Sequence, residues 1–154
     1  MSGLASLCRP NPYHNSTHAA DVTQALVAIL YQDALYTKFS DLELLALIIS
    51  AIVHDVCHPG FSNPFLTKTQ DEQALMYNDQ SANEALSLSV AFKILQAPLC
   101  NLFVNMSRED YFYLRRCASC VVVRTEIDLV VHHEPIGALF APAGAPAAYL
   151  GFTM

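Results

Sequence analysis

The sequence predicts an all-α fold, a compact helical bundle in one domain, and two observations indicate it. Apolar residues recur at three- and four-residue steps over several long stretches, which is the spacing of amphipathic helices. No stretch alternates apolar and polar residues for long enough to indicate a sheet, although residues 121–123 are locally ambiguous. The length of 154 residues suits one domain with a sizeable core.

The first helix is predicted from His18 onward. Residues 1–12 contain a glycine and two prolines and are expected to form a loose lead-in, so ordered structure should begin near Tyr13. After His18 the apolar side chains follow helical spacing, while Asp21 and Gln24 lie on the polar face. An amphipathic helix is therefore expected here.

The second helix is predicted from residue 41 to about residue 56. Ser40 and Glu43 have the spacing of a capping box, in which each residue binds the other's backbone amide. Residues 44–53 are apolar nearly all round, which predicts the central and most buried helix. Pro59 and Gly60 should end it, because proline disfavours helical geometry at the preceding residue and glycine accepts a left-handed stop.

Three further helices are predicted over residues 71–77, 81–96 and 107–128. The last of them starts at Ser107, which has Asp110 three residues later and so offers a second capping arrangement. From Glu134 the composition shifts to alanine, proline and glycine, so residues 129–154 are expected to form a loosely ordered, divergent tail. Residues 13–128 should then hold the functional domain.

The composition limits the classes of partner. Charged residues make up 14% of the chain and hydrophobic residues 53%, so much of the surface is expected to be covered. The net charge of −6, without any Lys/Arg cluster, excludes a nucleic-acid polymer as partner. The longest apolar run, residues 44–53 interrupted by Ser50, is far shorter than the ~20 residues that span a bilayer.

The cysteines and the N-terminus bear on the compartment. The first residues lack a basic segment followed by an apolar one, so no secretory signal is visible. Five cysteines at irregular spacings do not indicate a disulfide framework. A reducing, cytoplasmic setting is therefore expected.

Four histidines carry the strongest chemical signal. His14 and His18 are four residues apart, and so are His54 and His58, a spacing that places both rings on one face of a helix. Imidazole is the commonest neutral metal ligand, and Asp55 adds a hard carboxylate that can bridge two ions. Any one of these histidines alone would most often be structural, but the two pairs together predict a metal site.

Two other zinc chemistries fit the sequence poorly. A thermolysin-like protease has glutamate after the first histidine of its motif, whereas Asn15 follows His14. Cys117 and Cys120 precede His132 and His133, but the two thiols lie among apolar residues and are more simply core side chains.

Several longer segments point to a known family. They read YHNSTHAADV at 13–22, DLE at 41–43, HDVCHPGFSNPF at 54–65 and LMYNDQS at 75–81. In this order and at these intervals they resemble the catalytic domain of class I 3′,5′-cyclic-nucleotide phosphodiesterases, over about residues 11–128. The resemblance implies a helical bundle of the His-Asp phosphohydrolase type that holds two divalent ions, zinc together with magnesium or manganese.

The resemblance also implies roles for particular residues. His18, His54 and Asp55 match ligands of the tighter ion, Asp55 being the carboxylate that reaches both ions. His14 matches the general acid that protonates the departing 3′ oxygen. The remaining matches are to groups around the ions and the substrate: His58 and Glu84 for metal-bound water, Thr125 for a water of the second ion, and Tyr13 for a wall of the nucleotide pocket.

The chain departs from the family in two places. Where the family has Glu-Asn-His-His, this sequence has Glu84-Ala85-Leu86-Ser87, so two histidines are missing. The resemblance fades after Thr125 and stops before the family's later aspartate ligand, its purine-reading glutamine and its aromatic clamp. The family's leading helices are absent as well, so the bundle is expected to be incomplete at both ends.

The expected activity follows from the family. It is hydrolysis of cAMP and/or cGMP to the 5′-monophosphate in signal transduction, weak or absent in the isolated chain. The first alternative is a catalytically impaired remnant that binds a metal or a partner. The second is another His-Asp hydrolase acting on nucleotides, which the Tyr-His-Asn and His-Pro-Gly contexts disfavour.

Overall fold

The structure, a computed structural model, describes residues 10–131, with the backbone alone for residues 33 and 125–131. No β-strand occurs within this range, so the all-α prediction is confirmed. The described residues form one 3₁₀ helix, Gln32–Lys38, and six α-helices: α1 Ser16–Tyr31, α2 Asp41–Val53, α3 Asn63–Lys68, α4 Glu72–Met76, α5 Ala82–Leu95 and α6 Arg108–Val131.

Side-chain caps fix where the longer helices begin. At α2 the backbone N–H of Ser40 donates to Glu43 Oε2 at 2.8 Å, and the Glu43 N–H donates to Ser40 Oγ at 3.4 Å. The predicted capping box is therefore confirmed. At α6 the Asp110 N–H donates to Ser107 Oγ at 3.0 Å, as the second capping arrangement predicted.

The end of α2 was predicted too late. The helix ends at Val53, three residues before the expected end, and residues 54–57 form a turn. Cys57 has a left-handed backbone, with φ of 64°, so the chain leaves the helix before it reaches Pro59. Gly60 is also left-handed, with φ of 86°, as expected for a glycine that follows such a turn.

Two short elements were missed, whereas the others were predicted closely. The sequence analysis placed no helix at residues 32–38 or 63–68. The predicted starts of α4, α5 and α6 agree with the structure within one residue. The predicted lead-in before residue 10 and the tail after residue 131 lie outside the described residues.

The main core lies between α2 and α6, which run parallel. Tyr113 Oη donates to Glu43 Oε1 at 2.9 Å near the helix starts, and Ser50 Oγ lies 3.4 Å from Ala118 O further along. Between these points the two helices bury apolar side chains together with α5 and the segment after it. The buried set is Ala46, Ile49, Val53, Leu88, Ala91, Phe92, Phe103, Leu114, Cys117, Ala118 and Val122.

The prediction that residues 44–53 form the most buried element was wrong. Six of the 13 residues of α2 are buried, compared with nine of the 14 residues of α5. Leu45 and Ile52 of α2 remain 36% and 49% exposed. Hydropathy failed because α5 buries polar side chains, such as Asn83 and Ser87, whose hydrogen bonds offset their desolvation.

Two further predictions concern the compartment. No described helix combines the length and the apolar character that crossing a bilayer requires. Cys100, Cys117 and Cys120 are free thiols, but Cys57 is disulfide-bonded, which the irregular cysteine spacing did not predict. The cytoplasmic location inferred from the cysteines therefore stays a prediction.

Candidate metal centre

The start of α1 supplies the first two histidines. Asn15 is the N-cap, its side-chain oxygen accepting from the backbone N–H of Thr17 at 2.9 Å and of His18 at 3.3 Å. His14 therefore precedes the helix, and only His18 is helical. The idea that four-residue spacing places both rings on one helix face was wrong for this pair.

The turn after α2 supplies the other three side chains. His54 is the C-cap residue of α2, so Asp55 and His58 both follow the helix. The turn is closed by backbone hydrogen bonds from Val56 to Val53 O and from His58 to Asp55 O, each 3.1 Å long. The helix-face argument was thus wrong for the second pair too.

The histidines pair across the chain rather than within each motif. The rings of His14 and His58 lie 3.8 Å apart between centroids, and those of His18 and His54 lie 5.2 Å apart. Asn11 joins the two segments, since its Oδ1 accepts from the His14 N–H at 2.9 Å and its Nδ2 lies 3.4 Å from His58 O. Four predicted site histidines thus converge although 36 residues separate His18 from His54.

Three of these side chains form a compact group around one point. His18 Nε2 lies 3.2 Å from Asp55 Oδ2, His54 Nε2 lies 2.9 Å from the same oxygen, and the two nitrogens are 3.3 Å apart. Ligands about 2.0–2.2 Å from one zinc ion lie roughly 3 to 3.5 Å from each other. The observed separations therefore suit a shared cation.

The hydrogen bonding of His54 supports the same interpretation. Its Nδ1 lies 2.9 Å from Ala51 O, and because a carbonyl only accepts, Nδ1 carries a proton. In the neutral ring Nε2 would then present a lone pair to the Asp55 carboxylate. A cation at that position would relieve the repulsion. The hydrogen bond with Asp55 also raises the pKa of His54.

A second group shares the same carboxylate. His14, Asp55 and His58 place one ligand atom each within 4.8 Å of one another, and His14 Nε2 is 3.9 Å from Asp55 Oδ2. The Gly60 N–H donates to His58 Nδ1 at 3.0 Å, so the neutral His58 ring carries its proton on Nε2. Burial, followed by the charge of His14, lowers the pKa of His58. His58 therefore suits hydrogen-bond donation better than direct ligation.

Asp55 is the common member of both groups. Burial raises the pKa of this carboxyl, but the hydrogen bond from His54 and the charges of His54, His14 and His58 outweigh it, so the pKa lies below its ordinary value. Asp55 is therefore ionised at neutral pH. Its side chain is 21% exposed, which leaves it open to small solutes.

An open cavity of about 940 Å³ adjoins the centre. One side is the small-residue face of α1, and the other is Ile52 with the turn that follows α2. Most of its wall is apolar. Three members of the His/Asp groups, His14, Asp55 and His58, are among its lining residues.

The centre lies within a region that a protein-family model matches. The model is that of 3′5′-cyclic nucleotide phosphodiesterases, and it matches residues 13–140. The chain belongs to this family. The match includes every side chain of both His/Asp groups.

Relatives of the phosphodiesterase family agree with this assignment. The chain is 48% identical over 115 residues to 3′,5′-cyclic-AMP phosphodiesterase 4C of Rattus norvegicus, covering 75% of this chain and 22% of the relative. It is 44% identical over 119 residues to the probable 3′,5′-cyclic-AMP phosphodiesterase pde-4 of Caenorhabditis elegans, covering 77% of this chain and 18% of that protein. The chain thus spans about a fifth of these curated relatives.

A solved structure shares the fold. It is the phosphodiesterase domain of Salpingoeca rosetta rhodopsin phosphodiesterase, with a TM-score of 0.73 and 33% sequence identity. The alignment covers 86% of this chain and 39% of that one. The helical bundle is therefore a phosphodiesterase bundle, and the chain covers part of it.

The remaining predicted site residues differ in position. Tyr13 lies beside the centre, its ring 5.0 Å from that of His14, but it is 64% exposed and does not line the cavity. Glu84 lies in the first turn of α5 and is 7% exposed. The backbone of Thr125 is helical, and its side chain lies outside the description.

The positions at which the family has two histidines are part of the core. Leu86 is 8% exposed and Ser87 is fully buried. Ser87 Oγ donates to Val56 O at 2.9 Å, directly behind the turn that carries Asp55. Both residues therefore have structural contacts of their own.

Sequence reasoning missed three polar residues that shape the site. Asn11 joins the two histidine segments, and Asn63 and Asn83 hold the first turn of α5. Asn63 belongs to the HDVCHPGFSNPF segment, so the motif contained a signal for it. Asn11 precedes Pro12, and its Oδ1 accepts from the backbone N–H of Tyr13 in an Asx turn, a local signal that was missed. Asn83 gave none, because its hydrogen-bond partners are distant in the sequence.

Proposed function

We propose that this chain carries the centre for metal-dependent hydrolysis of 3′,5′-cyclic nucleotides to 5′-monophosphates, with a role in signal transduction. The observation that supports it most is the pair of overlapping His/Asp groups that share Asp55 and open onto an apolar cavity. The family match and the names of the relatives give the same chemistry.

The donor sets suggest how two ions would be held. A zinc-class ion suits His18, His54 and Asp55, because imidazole and carboxylate are its preferred ligands here. A magnesium or manganese ion would use Asp55 as its shared ligand, with His58, Glu84 and Thr125 around its water shell. When bound, the ions would neutralise the phosphodiester and generate the nucleophile near neutral pH.

His14 is proposed as the general acid. Its ring lies 3.8 Å from that of His58, centroid to centroid, and its Nε2 lies 3.9 Å from Asp55 Oδ2, so the ring that would donate the proton is next to the shared carboxylate. Its Nδ1 is buried and has no hydrogen-bond partner in the described part of the chain. Proton donation to the departing 3′ oxygen by such a group contributes about 10²–10⁴-fold.

The cavity suits a flat, mostly apolar ligand with one anionic end. The base of a cyclic nucleotide would lie against the α1 face and Ile52, while the phosphate would lie at His14, Asp55 and His58. Tyr13, whose ring is 5.0 Å from that of His14, would lie beside the phosphate. Because the chain has a net charge of −6, attraction of the phosphate must come from bound cations. Cyclic AMP is the first substrate to assay, with cyclic GMP beside it.

A second function has its own observation. Leu86 and Ser87 pack in the core where the family has histidines, and the loss of groups that orient ligands costs about 10–100-fold. We infer from this that the isolated chain binds a zinc-class ion but hydrolyses cyclic nucleotides far below a full-length relative. In that case it is an impaired, metal-binding remnant.

One experiment separates these functions. The purified chain is titrated with Zn²⁺ and then Mn²⁺ by calorimetry, and hydrolysis of both nucleotides is assayed with His14→Ala. Thr17→Ala, an exposed change in the first turn of α1, is the control. We expect zinc binding with weak turnover, which His14→Ala lowers by at least about 10²-fold.

The other outcomes are informative too. Robust turnover that His14→Ala abolishes would refute the remnant interpretation. Absence of zinc binding would refute both functions, since each requires the His18, His54 and Asp55 group.

A further inference from the structure

Glu84 is held by one particular neighbour. Its carboxylate is 7% exposed, and its Oε2 accepts from Asn63 Nδ2 at 2.9 Å. Asn63 is the first residue of α3, five positions after His58. The segment that follows His54 and His58 thus supplies the hydrogen-bond donor to the Glu84 carboxylate of α5.

The direction of this hydrogen bond is fixed by the backbone. The Asn83 N–H donates to Asn63 Oδ1 at 2.9 Å, and a backbone N–H can only donate. Asn63 must therefore present its oxygen to Asn83 and its NH₂ group to Glu84. Glu84 Oε2 is therefore the acceptor of the hydrogen bond from Asn63 Nδ2.

Asn83 holds the arrangement from behind. Its side chain is 1% exposed, and its Nδ2 donates to Phe61 O at 2.9 Å. This hydrogen bond fixes the orientation of the Asn83 amide, so its Oδ1 is the atom that accepts from Gln73 Nε2 at 2.9 Å. The network ties α4, the loop after His58 and the first turn of α5 into one rigid unit.

The carboxylate of Glu84 interacts electrostatically with one histidine of the centre, His58. Its charge acts on His58, where it opposes the stronger effect of burial on the pKa of that ring. Residues 84–87 read Glu, Ala, Leu and Ser, so Glu84 is the one ionisable group that this stretch offers to an ion.

We propose that Asn63 is a positioning residue: it holds the Glu84 carboxylate in one orientation for the second divalent ion. The inference rests on the proposed function and deepens it. Because α5 lacks the two histidines of the family, the orientation of this single carboxylate determines how well that ion binds.

Asn63→Asp tests the role with little change of shape. Aspartate still accepts from the Asn83 N–H, but it places a second carboxylate oxygen against Glu84 where the donor was. In the whole chain, preloaded with Zn²⁺, we expect Mn²⁺ affinity by calorimetry to fall about 10–100-fold and Zn²⁺ affinity to change by less than about threefold. Gln73→Ala, which loosens the network without touching Glu84, should keep the wild-type Mn²⁺ affinity.

A metal-free measurement separates positioning from mere stability. In EDTA, Asn63→Asp should lower the Tm by several degrees, on the order of 5 °C, through carboxylate repulsion. Asn63→Asp combined with Glu84→Gln restores a donor–acceptor pair in the opposite direction and should recover most of that Tm. Mn²⁺ affinity should stay low in the double variant, because the carboxylate is gone.

The outcomes are distinct. Wild-type Mn²⁺ affinity in Asn63→Asp would overturn the positioning role, and Mn²⁺ affinity that recovers together with the Tm would show that the role is only structural. An unchanged Tm in Asn63→Asp would show that Asn63 does not hold Glu84. A wild-type chain that binds Zn²⁺ but no Mn²⁺ would overturn the role for the ion and the two-ion function, while the metal-free arm still reports on the hydrogen bond.

Discussion

The two sides of the candidate centre have diverged to different extents. On one side, the start of α1 and the turn after α2 keep four histidines and Asp55. The Nε2 atoms of His14, His18 and His54 lie 2.9–3.9 Å from Asp55 Oδ2. On the other side, α5 keeps the buried Glu84 but has Leu86 and Ser87 where the family has histidines. The residues of the two His/Asp groups are retained, whereas the side behind them is changed.

The difference teaches where a phosphodiesterase centre tolerates substitution. A residue whose donor atom points at an ion has no protein partner that could replace that ion, so its loss leaves charges unpaired. A residue behind the ligands can be replaced by a core side chain that satisfies its own hydrogen bond, as Ser87 does with Val56 O. At position 87 the core thus accommodates a residue other than the family's histidine.

Asp55→Asn should give the largest effect, because this carboxylate belongs to both groups. The amide keeps one oxygen but loses the charge that two imidazoles and a cation require. We expect Zn²⁺ affinity, measured by calorimetry, to fall by more than about 100-fold, beyond the range of losses behind the ligands. Asp21→Asn, an exposed change on α1, is the matched control and should bind zinc normally.

If Asp55→Asn bound zinc as tightly as wild type, the ion would have to lie elsewhere. The comparison of the two sides would then fail, because the four histidines and Asp55 would not be ligands.

Ser87→His tests whether α5 can still accommodate one of the two histidines that the family has there. Ser87 is fully buried, so an imidazole there would be overpacked and would displace the bond to Val56 O. We expect a loss of about 1–3 kcal/mol in the free energy of unfolding and no gain in Mn²⁺ affinity. Ser89→His, at a partly exposed position two residues along α5, should cost less. A gain in Mn²⁺ affinity would show that the site still accepts the missing histidine.

Tyr113→Phe should give the smallest effect. It changes a hydrogen bond at the start of α2, at the opposite end of the helix from the His/Asp groups. It removes the hydrogen bond from Tyr113 Oη to Glu43 Oε1, and we expect a loss of about 1 kcal/mol near pH 7 by thermal unfolding. Zinc affinity should be unchanged. Tyr31→Phe, at a 72% exposed position, is the control.

This loss should depend on pH in a defined direction. Burial raises the pKa of Glu43, but the hydrogen bonds from Ser40 and Tyr113 outweigh it and keep the pKa below 4.5. Burial and then Glu43 raise the pKa of Tyr113 to about 12, so the phenol stays a donor. The stabilisation is present above pH 4.5 and disappears as the pH falls through the lowered pKa. A cost of Tyr113→Phe that grew in acid would contradict this linkage.

Most of the fold was predictable because its signals are local. The capping box at Ser40, the side-chain cap at Ser107 and the helical apolar spacing depend on residues within a few positions of each other. The end of α2 was not predictable, because a left-handed Cys57 carries no sequence signal. The burial of α5 was missed because Asn83 and Ser87 look polar until their distant acceptors, Phe61 O and Val56 O, are known.

The sequence by itself determined which side chains could do the chemistry: four histidines, Asp55 and Glu84, in segments that resemble phosphodiesterases. Local chemistry suffices there, since residue type sets which ions a group can bind. Only the tertiary structure decided how they combine. His14 pairs with His58 and His18 with His54, because the start of α1 packs beside the turn after α2. Such contacts between segments 36 residues apart depend on how helices pack, which no spacing within one segment encodes.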